Sequence, residues 1–137
     1  MRRFLYVLRP LAVTMALLMT AAACGGGASP DGIVVGRGVI PETMPEGFPV
    51  PAGATIGETS MDRDAKTTVV DLTTVGSLVS AVSTYTVGLV SSGYIVDQSE
   101  EQGDGWVIRF SRQDLRGTIA LTPGADGVGA AVTIVDP

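Results

Sequence analysis

The sequence predicts an α+β domain, an antiparallel sheet packed against one amphipathic helix in the order ββαββββ. Three observations lead there. Six short runs between residues 54 and 135 are rich in Val, Ile, Thr and Leu and are separated by clusters of Gly, Asp and Pro. In the run from Trp106 to Phe110 the apolar residues alternate, so Trp106, Ile108 and Phe110 share one face while Val107 and Arg109 share the other. Between the second and third runs lies a longer stretch, Val75 to Gly93, whose apolar residues recur at helical spacing.

Taken in order, the chain opens with Arg2, Arg3 and Arg9 and an uncharged run from Leu11 to Ala23. A positive start, an apolar segment too short for a comfortable span and a small-residue ending are the parts of a secretory signal. The only cysteine, Cys24, follows Ala21, Ala22 and Ala23 directly, and no histidine exists to join it in a catalytic pair or zinc site. This junction resembles the lipobox of bacterial lipoproteins, with Ala21 standing where that family most often carries leucine. The resemblance implies that residues 1–23 are removed and that Cys24 becomes a lipidated first residue. The alternative is an ordinary signal cut after the alanines, which leaves a free thiol with no packing role. Two or more acyl chains at Cys24, each buried methylene contributing about 0.8 kcal/mol, make a permanent anchor. The expected location is therefore the extracytoplasmic face of the cell envelope, held to the membrane.

Of nine basic residues three leave with residues 1–23, so six remain against fourteen acidic ones, a formal balance of −8. Such a surface repels nucleic acid and anionic headgroups, which excludes a nucleic-acid partner. The bias toward Gly, Ala, Val and Thr suits a GC-rich bacterial genome, as actinobacteria have.

Residues 24–51 read as a Gly/Pro-rich tether. Gly25, Gly26 and Gly27 give a flexible exit, Gly32 to Ile40 contains a possible short edge strand, and Pro41, Pro45, Pro49 and Pro51 preclude a helix. The proline segment is either a lead-in laid on its own domain or a ligand for an aromatic groove. The folded part is placed at residues 52–137. "ATIGETS" and "KTTVVDLT" flank a turn at Met61 to Ala65. In the helix, Val75, Leu78, Val79, Val82, Tyr85, Leu89 and Val90 cover an arc of roughly 140° at about 100° per residue. Thr74 or Ser77 suits its N-cap, and Gly93 stands where a left-handed C-terminal residue is expected. "YIVDQS", "WVIRFS", "RGTIALT" and "GAAVTIV" then supply four strands. The uncharged stretch Leu72 to Val96 has the length of a membrane span, but nine of its 25 residues are Ser or Thr and three are Gly.

The outward helix face carries the expected contact surface. Ser77, Ser80, Thr84, Gly88 and Ser91, with Val87 among them, replace the Lys and Glu of an ordinary solvated helix, and small side chains permit close approach of a partner or a second copy. The plainer reading is a solvated Ser/Thr face. Catalytic patterns are missing from the sequence: no G-x-S-x-G, S-x-x-K or nucleotide-binding glycine motif occurs. The acidic pairs Asp62 with Asp64 and Glu100 with Glu101 fall in expected turns. "DQSEEQGDG" departs from a calcium loop at its sixth place, and Ile108 stands where the bidentate Glu belongs. No cofactor or metal is called for. The expectation is a non-catalytic interaction module for another envelope component, the alternative being a carrier of a small apolar ligand held between Tyr85, Leu89, Trp106 and Phe110.

Overall fold

The computed structural model describes residues 32–137, so residues 1–31, including Cys24 and the signal-like segment, lie outside the described residues. Seven strands and one helix follow in the order β1 (Ile33–Arg37), β2 (Thr55–Asp62), β3 (Thr67–Thr74), α1 (Leu78–Ser91), β4 (Ile95–Gln102), β5 (Gly105–Arg112), β6 (Leu115–Gly124) and β7 (Gly127–Val135). All pairings are antiparallel, and the strands form one sheet in the spatial order β1-β2-β3-β7-β6-β5-β4. The expected α+β class holds in its coarse form, a sheet with one helix laid on it, but the sheet dominates and the order is βββαββββ. The additional strand is β1, which forms because Ile33 to Arg37 pairs with Glu58 to Asp62 and so covers the edge of β2.

Alternation decides which face is covered. Val128, Ala130, Val132 and Ile134 of β7 are buried, and their cross-strand neighbours Val70 and Leu72 on β3 and Ile119 and Leu121 on β6 lie on the same face. Ile108 and Phe110 extend that layer onto β5. Each of these side chains larger than alanine contributes about 1.5–3 kcal/mol by leaving water. At Gly117, opposite Phe110, a β-carbon would collide with the Phe110 ring, so the ring occupies the space a side chain would need. The opposite face, with Val69, Val107, Thr118, Ala120, Ala131 and Thr133, has no helix over it among the described residues.

α1 starts where the Ser77 hydroxyl accepts a hydrogen bond from the Ser80 N–H at 3.2 Å. It ends at Gly93, whose φ of +83° is left-handed. There the Tyr94 N–H donates to the Leu89 carbonyl and the Gly93 N–H to the Val90 carbonyl, the paired bonds of a Schellman ending. The helix carries the chain from β3 to the far edge at β4, and the meander β4 to β7 returns it beside β3. α1 is shorter than a membrane span requires, and no helix among the described residues is long and apolar enough to cross a bilayer.

Residues 38–51, read from sequence as the distal part of a tether, lie against the domain. Phe48 is 7% exposed and packs on Tyr94 and Phe110, with ring centroids 6.2 and 5.8 Å apart. Ile40 and Met44 pack on the same core, and the Thr43 and Thr68 hydroxyls share a hydrogen bond. Arg112 fastens this lead-in to the helix end: its guanidinium donates to the Glu46 and Ser92 carbonyls at 3.4 and 3.5 Å and lies 4.3 Å from the Tyr94 ring centroid. A boundary at Ala52 would cut through this packing, because a 14-residue helix is too narrow to cover the inner face of seven strands alone.

Candidate functional site

Covering by the lead-in changes which side of α1 is buried. Pro49 lies so close to Gly88 that a β-carbon there would stand 2.6 Å from its Cβ. Ala81, Tyr85 and Leu89 are the fully buried residues of the helix, with Leu78 and Val82 partly buried beside them. That face is turned by roughly 60° from the arc expected from spacing, taking about 100° per residue. The rotation strands part of the helix's apolar stripe in water: Val79 is 80% exposed and Val90 59%, and Val75, just before the helix, is 85% exposed.

Beside this stranded stripe runs an open apolar groove of about 600 Å³. Leu78, Val79, Val82 and Val87 of α1 form one wall, with Ser83 and Thr86. Trp106 of β5 and Ser99 and Glu101 of β4 form the other. Trp106, expected in the core, is only half-buried, and its indole N–H donates to the Ser99 hydroxyl at 2.8 Å. A bulge at Asp97 sets this wall. Val96 pairs with Phe110 and Gln98 with Arg109, and the extra residue between them brings Ser99 and Glu101 onto the helix side, where regular alternation would have put Gln98 and Glu100.

Of the residues expected on the outward helix face, four are exposed and one is covered. Ser80, Thr84 and Ser91 are exposed, and the Thr84 hydroxyl is taken up by the Ser80 carbonyl at 2.9 Å. Ser77 serves as the N-cap, and Gly88 faces Pro49 rather than solvent. The pocket expected between Tyr85, Leu89, Trp106 and Phe110 is filled by its own walls: Tyr85 and Leu89 are 0% exposed and Phe110 1%, so Trp106 alone borders the groove. Sequence reasoning missed the groove because Val79 and Val90 belong to the same stripe as the buried residues, and nothing in their spacing distinguishes covered from uncovered members.

Burial pushes the Tyr85 phenol above its ordinary pKa. The neighbouring Thr74 hydroxyl opposes that rise, although neither hydroxyl completes a hydrogen bond. Tyr94 is raised by burial as well, against the pull of the Arg112 charge over its ring. Glu100 and Glu101 point to opposite faces of β4, and Asp62 uses its Oδ1 to accept the N–H groups of Asp64 and Ala65 in a turn.

A second recess of about 450 Å³ lies where the lead-in meets the β2–β3 turn and Arg112, with Met61, Leu115 and Ile134 at its base and Arg63 and Lys66 on its rim. Asp62 and Asp136 border the same recess, so it carries both signs of charge. Lys66 is engaged with the Pro137 carbonyl. The groove beside α1 is the more apolar of the two and the one with large aliphatic side chains left uncovered.

Compared with known proteins, the chain matches no protein-family model, no curated protein and no solved structure.

Proposed function

We propose that this protein is a lipid-anchored, extracytoplasmic binding module that performs no chemistry of its own and docks another component of the cell envelope through the uncovered flank of α1. The anchor rests on the lipobox-like junction at Cys24 and the basic, apolar and small-residue segments before it. The observation that carries the docking role is the half-covered apolar flank of the helix: Val79 is 80% and Val87 61% exposed, both lining the groove that Trp106 borders, on a helix whose other flank is sealed by Pro49. Contiguous exposed aliphatic and aromatic surface of this kind marks interaction sites, and tryptophan is enriched among residues that dominate binding energy.

A small apolar ligand is the second reading, favoured by the groove's volume, which falls within the 300–1,000 Å³ of small-molecule sites. The groove is open along one side, so such a ligand would remain partly wet, whereas a macromolecular partner would close it.

The test places a photo-crosslinking amino acid at position 79, and separately at position 71 on the bare sheet face, in the anchored protein in its producing cells. Docking through α1 gives a defined protein adduct from position 79 and none from position 71. The reverse pattern moves the site to the open sheet face, and adducts from neither position defeat the interaction role.

A further inference from the structure

We infer that the occupant of the groove is a cationic amphipathic helix of another protein, an inference that rests on the docking role proposed above and adds the partner's chemistry. The two walls of the groove ask for different things. Val79, Val82 and Val87 present hydrocarbon, while Glu101, directly across the β4–β5 pair from Trp106, places a carboxylate on the opposite lip. The Asp97 bulge puts it there. Among the described residues the one ion pair joins Arg37 to Glu58 at the other edge of the sheet, so the Glu101 charge is not matched from within. Asp104, exposed in the turn that follows β4, adds a second carboxylate near that end of the strand. A neutral or acidic occupant would desolvate Glu101 without a counter-charge, whereas a Lys or Arg flanking an apolar face would pair with it.

A helix fits better than an added strand. β4 is an edge strand, and its carboxylates are the kind of charge that discourages strand addition. A helix laid along α1 presents apolar residues at i, i+3, i+4 and i+7 to the valine wall. The segment between Cys24 and Gly32 is not the occupant of the mature chain. Gly32 adjoins β1, six strands from β4, a separation of roughly 29 Å at about 4.8 Å per strand. The intervening residues reach no farther than about 29 Å fully extended, with the length of the strands still to cover, and they contain no Lys or Arg. A second copy is disfavoured too. Arg63, Lys66, Arg112 and Arg116 cluster at the end of the sheet where the anchor attaches, while Glu101 lies toward the other end, so copies anchored in one membrane hold like ends level.

The experiment uses the full-length lipidated protein in phosphatidylcholine vesicles and reads emission from Trp106, the only tryptophan in the chain. The probes are three tryptophan-free amphipathic 18-residue peptides with the same leucine face and Lys, Gln or Glu on the polar face. The Leu/Lys peptide should shift Trp106 emission to the blue, saturably, and bind at least tenfold more tightly than the Leu/Glu peptide, with the preference shrinking as salt rises. Glu101→Lys, an exposed and conservative-in-size change, should reverse the order of the Lys and Glu peptides, and Val87→Asp should weaken all three. Equal binding of the three peptides, unaltered by Glu101→Lys, overturns the cationic partner while leaving docking in the groove intact. No response of Trp106 to any peptide overturns both. A Trp106 shift that follows only the protein's own density in the vesicles overturns the inference in favour of self-association.

Discussion

Phe48→Ala probes whether the proline-rich lead-in is part of the folding unit. Phe48 is 7% exposed, and its ring closes a triangle with Tyr94 and Phe110, whose own centroids are 5.4 Å apart. Truncating a buried Phe to Ala costs about 3–5 kcal/mol from lost burial and the cavity left behind. Because the lead-in is held elsewhere only by lighter contacts such as Pro49 on Gly88 and the Arg112 bonds, the segment can partly relax, and the lower end, about 3 kcal/mol, is expected. A domain of this size has roughly 5–15 kcal/mol of stability. The melting temperature should therefore fall by about 12–24 °C, at about 4–8 °C per kcal/mol. The assay is urea titration of the leaderless chain carrying Cys24→Ser, followed by Trp106 emission and by far-ultraviolet circular dichroism. Coincident curves with a lowered midpoint are expected. A loss under about 1 kcal/mol would refute the reasoning, because the aromatic triangle would then be dispensable and the lead-in a passive tether.

Three further outcomes follow from particular contacts. Tyr85→Phe should leave neutral-pH stability unchanged or raise it by up to about 1 kcal/mol, since it removes a buried hydroxyl without a partner. With the folded-state pKa of Tyr85 raised, the unfolded chain loses its proton first, so stability is fully present below about pH 10 and declines as pH rises beyond it; melting curves across that range should show a shallower decline in the variant. Gly117→Ala should destabilise by about 1–3 kcal/mol by overpacking against the Phe110 ring, with partial recovery when combined with Phe110→Leu, and denaturant titration of the single and double variants checks it. Cells fed a labelled fatty acid should label the wild-type protein, and Cys24→Ala should lose both the label and membrane retention; a variant that keeps both disproves the anchor.

Six strands, the helix and its caps were legible because they depend on local chemistry. Alternation in "WVIRF" forces Ile108 and Phe110 to one side, Ser77 satisfies a free N–H, and Gly93 adopts a φ that other residues resist. β1 showed only as a possibility, since five residues containing a glycine carry little propensity and become a strand through the open edge of β2. The site lay further out of reach. Spacing along α1 records which residues are apolar but not which of them find a cover, and that is settled by where Pro49 and Phe48 come to rest, some 30 to 40 residues away in sequence. The bulge at Asp97 is equally silent in the sequence, yet it selects Glu101 over Glu100 for the groove. Periodicity and capping are properties of neighbouring residues, so the sequence by itself determined six of the strands, the helix with its caps, and the inward side of β5. Coverage is a property of the whole surface, so only the tertiary structure decided which part of the helix's apolar stripe became core and which was left for a partner.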